Sequence, residues 1–157
     1  MAYEDIIASA AKQNRLDPNL IKAFIRTESN WMPNAERAEP QIKDKSYGLM
    51  QVLLGTARSV ANNSSITPTQ LKQPTLNILI GSKYIRMQMD KYSFDDAISA
   101  YNAGRPLYSS LPTRRYVNQD YVNKVKRNYA FYQKGWVGAI SALTVGIVGF
   151  AMIRAQR

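Results

Sequence analysis

The chain has 157 residues, room for one domain of ordinary size with a short appendage and too few for two enzyme-sized domains. It has no cysteine and no histidine, which excludes disulfides, thiolate nucleophiles, serine–histidine triads and imidazole- or thiolate-held metals; proton transfer falls to Asp, Glu, Tyr or Lys. Twenty-one Lys and Arg against eleven Asp and Glu give a formal charge of +10, which favours an anionic partner without distinguishing nucleic acid, phospholipid headgroups and an acidic wall polymer.

The opening MAYEDIIASAAKQNR carries two acids before any basic residue and no long apolar run, so no secretory signal is expected there. Ile6, Ile7, Ala10 and Ala11 mark a short first helical face, and the chain then turns through Asn14 to Leu16. Asp17 before Pro18 supplies an N-cap and a preorganised first position for a second helix, in which Ile21, Phe24, Ile25 and Glu28 share one stripe. Glu28 is thus an acid beside an apolar face, either at the edge of a solvated surface or protected in a cleft.

Trp31, Pro33 and the polar stretch through Lys45 read as a loop, and no strand is supported outside the segment between Trp31 and Tyr47. Beyond it SYGLMQVLLGTARSVA enters a second apolar cluster, and Thr67–Pro68 and Thr75 with Ile78, Gly81, Ile85 and Met89 predict further helical turns. Ser93 and Asp96 have capping-box spacing ahead of Ala97, Ile98 and Tyr101, and Gly104 is placed to end that helix in a left-handed conformation. Tyr116, Val117, Tyr121, Val125 and Tyr129 predict a final helical face. Five to seven short helices are expected within residues 1–134.

From Gly135 to Ile153 runs GWVGAISALTVGIVGFAMI, uncharged throughout and about 28 Å long as a helix, close to the ~30 Å hydrocarbon core of a bilayer. Lys134 and Trp136 at one boundary and Arg154 and Arg157 at the other read as interfacial anchors. The alternative is a buried helix docked on the preceding domain, but a small domain rarely needs a terminal helix apolar on every side. Gly138, Ala142 and Gly146 recur at four-residue steps, a stripe that permits close helix contact in lipid. The expected division is a domain at 1–134, a transmembrane helix at 135–153 and a short basic tail at 154–157.

Four stretches in order, ESNWMPNA from Glu28, YGLMQV from Tyr47, NILIGSKYI from Asn77 and AISAYNAG from Ala97, resemble the catalytic domain of the soluble lytic transglycosylases, a branch of the lysozyme-like superfamily. YVNQDYVNKV, from Tyr116, is similar to the helix that closes that domain, and the resemblance covers roughly residues 5 to 132. It implies a mainly α, lysozyme-like domain, here followed by one transmembrane helix, with peptidoglycan glycan strands as substrate and neither cofactor nor metal. Glu28 corresponds to the single catalytic acid, which protonates the glycosidic oxygen and then, as carboxylate, accepts the C6 hydroxyl proton of muramic acid, so that a 1,6-anhydro sugar forms without water. The same resemblance places Ser29 in a supporting role beside the acid and Met50 and Gln51 in the cleft, the one as apolar contact and the other as a ligand of sugar hydroxyl or acetamido groups. Tyr101 is expected to hydrogen-bond to or position Glu28, and Asn102 to contact substrate or hold its loop; their plainer roles are buried aromatic and helix cap. Gly48 and Gly104 are expected at close backbone turns.

The approach to GLMQ departs from the family: where members commonly have a serine and a Gly-Ala pair, this chain has the longer, charged RAEPQIKDKSYGLMQ. Asp44 in that stretch is read as a solvated loop acid rather than a second catalytic group. Competing functions are a lysozyme hydrolase, distinguished by a reducing-end product, and a noncatalytic glycan-binding structural protein of a virion membrane. Arg105, Arg114, Arg115, Lys124, Lys126, Arg127 and Lys134 are read as attraction to a wall or membrane surface, since no base-reading motif accompanies them and no specific nucleic-acid partner is indicated. The expected partners are the glycan strands, a lipid membrane and other membrane proteins of a virion. Lys124, Lys126, Arg127 and Lys134 before the apolar run would hold the domain in the cytoplasm, away from the wall, a conflict that a phage particle would resolve by carrying the protein in its own internal membrane to the host periplasm; conjugation or secretion machinery, which uses related wall-cutting enzymes, is the alternative.

Overall fold

Residues that alternate apolar and polar at helical spacing do form helices here, and a small sheet interrupts them. The computed structural model of the chain describes residues 3–135. In order these are α1 (Glu4–Asn14), α2 (Pro18–Glu28), β1 (Glu36–Glu39), a 3-10 turn (Pro40–Ile42), β2 (Asp44–Tyr47), β3 (Val52–Leu53), α3 (Leu54–Ala61), α4 (Pro68–Leu71), α5 (Pro74–Met89), α6 (Phe94–Ala103) and a helix over residues 119–135, here α7. The fold is mainly helical, as expected. The Gly135–Ile153 run, its Gly138, Ala142 and Gly146 stripe and the tail after it lie outside the described residues apart from Gly135. Among the described residues no helix is long and apolar enough to cross a membrane.

The cap signals hold in most places. Asp17 accepts a hydrogen bond from the Asn19 backbone N–H at 2.8 Å, and Thr67 and Gln70 form a complete capping box. Gly104 ends α6 with φ 78° and donates its N–H to the Ala100 carbonyl. The Ser93 signal is different: its hydroxyl donates to the Asp96 carboxylate at 2.8 Å and makes no side-chain cap bond to the helix. Asp96 also accepts from Tyr116 at 2.5 Å and Arg115 at 3.2 Å, which ties the segment after α6 back onto that helix.

Helix α5 is the central post, packed against α1, α6 and α3. Ile7 of α1, Ile21, Phe24 and Ile25 of α2, Ile78 and Ile85 of α5, Ile98 of α6 and Val122 and Val125 of α7 all lie in one core. Each such aliphatic side chain contributes about 1.5–3 kcal/mol by leaving water. The last helix begins later than its sequence pattern predicts. Tyr116 precedes it, buried under Asp96, and Val117 is 61% exposed; the inward face is carried instead by Tyr121, Val122, Val125, Tyr129 and Tyr132.

The stretch read as a loop through Lys45 is a β-hairpin. Strands β1 and β2 pair antiparallel with Glu36 opposite Tyr47 and Glu39 opposite Asp44, and β2 pairs with β3 through Ser46–Leu53 and Tyr47–Val52. Residues 48–51, the GLMQ motif, are therefore the tight connection between β2 and β3. Asp44 sits at the start of β2 and accepts the Gly55 N–H at 2.9 Å, supplying the first turn of α3 with the acceptor its own N-cap residue, Leu53, lacks. Its predicted role as a free loop acid gives way to that of a cap delivered from a neighbouring strand.

Candidate active site

Glu28 is the last residue of α2 and faces a cleft of about 440 Å³ between the hairpin and the end of α6. Arg37, Glu39, Gln51, Tyr84, Tyr101 and Asn102 share its lining. Burial among these groups disfavours the carboxylate and raises the Glu28 pKa to about 7. A hydrogen bond from Tyr121 and the charges of Arg37 and Lys124 pull the other way, while the carboxylate of Glu39 adds to the rise. The outcome is a carboxyl able to give and take a proton near neutrality.

Tyr121 is the acid's partner. Its hydroxyl donates to Glu28 Oε1 at 2.5 Å. Its own pKa is pushed well above the usual tyrosine value by burial and by the adjacent Glu28, so it remains a donor at all working pH values. The grip extends along α7: Lys124 Nζ donates to the Thr27 carbonyl at 3.0 Å, Asn128 to the Thr27 hydroxyl at 2.9 Å, and Tyr129 to the Asp17 cap at 2.7 Å. Steps of three and four residues place Tyr121, Lys124 and Asn128 on one helix face, with Tyr129 next to Asn128, and these donors run along α2 from the acid back to its N-cap. Lys124, read from the sequence as a surface charge, belongs to this clamp.

The residues expected around the acid fall into two groups. Ser29, expected in a supporting role beside the acid, is buried; its hydroxyl donates to the Leu49 carbonyl at 2.8 Å and joins the end of α2 to the GLMQ turn. Gln51 and Asn102 line the cleft. The Gln51 amide is nonetheless engaged internally, with Nε2 donating to the Ala35 and Gly48 carbonyls and Oε1 accepting from Ser46. These bonds hold the turn at Gln51, whose backbone has a left-handed φ of 44°. Asn102 is exposed, and its Oδ1 accepts from the Asn118 amide at 3.0 Å.

Met50 and Tyr101 depart from expectation. Met50 is fully buried, outside the cleft lining, with its sulfur packed where a Cβ on Gly81 would come within 2.5 Å. An alanine at position 81 would force α5 and the turn apart. The Tyr101 hydroxyl donates to the Met50 carbonyl at 2.9 Å, not to Glu28, while its ring lines the cleft between Phe24 and Tyr84 at centroid distances of 4.6 and 5.2 Å. Proximity to Glu28 acts through charge, and burial first of all raises the Tyr101 pKa well above its usual value.

Asn77 is the residue that shapes the turn, and its place in NILIGSKYI did not disclose this. Fully buried on α5, it accepts the Met50 N–H at 2.8 Å and donates to the Tyr47 and Leu71 carbonyls at 2.8 and 2.9 Å. Gly48 lies over it with φ 77°, where a Cβ would stand 2.5 Å from the Asn77 amide, so both the backbone angle and the space demand glycine. Arg37, Glu39 and Tyr84 were likewise unassigned by the sequence; only the charged departure before GLMQ pointed to the first two.

Known proteins resemble this chain in sequence and fold. Residues 5–123 match the family described as the Transglycosylase SLT domain. The chain is 31% identical over 105 residues to the "Transglycosylase" of Enterobacteria phage PRD1, covering 66% of this chain and 36% of that protein. It is 32% identical over 110 residues to the "Membrane-bound lytic murein transglycosylase F" of Cellvibrio japonicus, covering 65% of this chain and 20% of that one. The lytic transglycosylase Slt of Pseudomonas aeruginosa, solved as an inactive mutant, superposes with a TM-score of 0.70 at 26% identity over 87% of this chain and 24% of its own. The chain thus spans little more than a third of the phage relative's length and less of the others. With a matching profile over most of its length and the acid, the GLMQ turn and the AYNAG helix end assembled around one cleft, this chain belongs to the transglycosylase SLT domain family.

Proposed function

We propose that the domain is a peptidoglycan lytic transglycosylase that cleaves the β-1,4 bond between N-acetylmuramic acid and N-acetylglucosamine and leaves a 1,6-anhydromuramic end. The observation that carries this reading is the state of Glu28: a carboxyl with its pKa raised to about 7, held by the Tyr121 hydroxyl at the wall of a sugar-sized cleft. Protonated, Glu28 gives its proton to the leaving glycosidic oxygen. The substrate's own N-acetyl carbonyl supports the developing positive charge at C1, and the Glu28 carboxylate then accepts the C6 hydroxyl proton as O6 closes on C1. One C–O bond breaks, one forms, the proton count returns to its start, and no water is consumed. The rings of Tyr84 and Tyr101 offer apolar faces to the sugars.

Hydrolysis is the second reading, and Glu39 is the observation that favours it, since it is another carboxylate in the same cleft. Noncatalytic glycan binding is the third. Purified glycan strands incubated with the protein and its Glu28→Gln variant separate them. Anhydro ends from the parent and almost none from the variant support the transglycosylase; ordinary reducing ends support a hydrolase; no cleavage by either folded protein supports a binding role.

We also propose that residues 1–134 act as a unit tethered by the apolar run 135–153, within a phage particle that brings the domain to its host's wall. The run's length and basic flanks, the phage source of one relative and the membrane-bound name of another support this placement. High-salt washing should leave the full-length protein in the membrane pellet; release by salt alone would refute the anchor.

A further inference from the structure

The charged stretch before GLMQ forms a hairpin that walls the cleft, and it brings one cation into it. Arg37 and Glu39 stand two apart on β1, hence on one face of the strand, and both line the cleft with Glu28. Among the described residues lining that cleft, Arg37 alone is basic. Its Nε donates to Glu39 Oε1 at 2.6 Å, a bond that orients the guanidinium plane and leaves the edge formed by its two terminal nitrogens for a second, bidentate acceptor. The charge of Arg37 is felt by both Glu28 and Tyr121, so the guanidinium lies within electrostatic reach of the acid.

A glycan strand offers one chemical difference between its alternating sugars. N-acetylmuramic acid bears a lactyl ether at C3, ending in a carboxylate or in an amide to a stem peptide that carries carboxylates of its own; N-acetylglucosamine bears a hydroxyl there. The reaction proposed above closes O6 on C1 of the muramic residue, so the cleft must seat that sugar, and not its neighbour, beside Glu28. We infer that Arg37 sets this register: its free guanidinium edge binds a carboxylate of the muramyl substituent, with Glu39 holding the guanidinium in place. The inference rests on the glycan-strand reading and adds a specificity determinant to it.

The test uses the full-length protein in mild detergent and three substrates: strands bearing stem peptides, strands stripped by an amidase so that the lactyl carboxylate is free, and stripped strands whose carboxylates have been converted to amides with carbodiimide. Release of anhydro ends by the parent, Arg37→Gln and Arg37→Lys is measured as kcat/KM, each at its own pH optimum, because loss of Arg37 also shifts the Glu28 proton equilibrium for every substrate. The expected result is a loss of about tenfold for R37Q on charged strands, the scale of one charge-assisted hydrogen bond in a partly exposed site, with partial recovery in R37K. Amidation should cost the parent a similar factor, and the difference between parent and R37Q should shrink to about twofold on amidated strands. Whichever charged strand shows the larger loss identifies the carboxylate as lactyl or stem-borne. Equal losses of R37Q on charged and amidated strands, or undiminished activity on both, would overturn the proposal. Binding of the same strands to Glu28→Gln and to the Glu28→Gln/Arg37→Gln double variant reads the contact without cleavage. Failure of the parent to cut would therefore count against the transglycosylase reading alone, and equal binding with and without Arg37 against this one.

Discussion

The Tyr121 hydroxyl meets the Glu28 carboxylate at 2.5 Å across 93 residues of sequence, so the acid at the end of α2 is oriented by a helix near the other end of the described chain. That bond favours the carboxylate form, because a donated proton stabilises negative charge. Tyr121→Phe should therefore push the Glu28 pKa above about 7 and move the corresponding limb of the pH–rate profile to higher pH. The same change frees the carboxyl to rotate, and kcat should fall by roughly 10–100-fold, the scale of a lost orienting contact in general acid–base catalysis. A profile that keeps its limb in place would remove Tyr121 from the acid's electrostatics.

Glu28→Gln should stabilise the protein while silencing it. A carboxyl whose folded pKa stands at about 7 against an ordinary 4.5 binds more protons folded than unfolded between those values, so stability declines as pH rises through that window. Glutamine has no such proton linkage. At pH 8 the variant should exceed the parent by on the order of 3 kcal/mol, and near pH 4 the pH-linked part of the difference should vanish. Urea denaturation at the two pH values measures it; a difference independent of pH would refute the raised pKa.

Lys124 and the other basic residues of the C-terminal half should part company. Lys124 holds the Thr27 carbonyl and its charge lowers the Glu28 pKa, so Lys124→Met should shift the pH profile upward and reduce kcat. Arg114, Arg115 and Lys126 pair with Asp120, Asp96 and Asp95 at 2.8, 3.2 and 2.7 Å. Neutralising those three should leave the profile's midpoint unmoved and weaken attachment to wall fragments chiefly at low salt. A midpoint shift in the triple variant would contradict this division.

Asn77→Leu should be the most damaging of the changes outside the cleft. It leaves the Met50 N–H and the Tyr47 and Leu71 carbonyls buried without their partner, a loss of about 3–5 kcal/mol by the usual scale of buried unsatisfied groups. Chemical denaturation reads the loss directly. In protein kept folded at low temperature, activity should fall too, because the same turn carries Gln51 and the Met50 carbonyl that anchors Tyr101.

Local signals carried the helical architecture well. Asp17–Pro18, Thr67–Pro68 and Gly104 mark their helix ends by interactions that span only a few residues, and such interactions are written in adjacent letters. The hairpin was not legible, because its pairing joins Glu36 to Tyr47 and Glu39 to Asp44 through backbone groups that every residue type possesses. Nor was the cap that Asp44 lends to α3, since the acceptor and the Gly55 N–H it satisfies are eleven residues apart and meet only when β2 and α3 pack.

At the site the division follows the same physics. Glu28 at the end of an apolar stripe, with its motif neighbours, was determined by the sequence itself, because helical periodicity alone sets an acid beside a buried face. Periodicity shows that Tyr121 faces inward but not what it meets there. Only the tertiary structure decided that Tyr121 and Lys124 hold the acid while the Tyr101 hydroxyl turns to Met50, that Met50 sinks against Gly81, and that Arg37 and Glu39 reach the cleft. A carboxyl's proton affinity is likewise a tertiary property, for it depends on which groups exclude water and which charges stand near, and these come from helices and strands far apart in the chain.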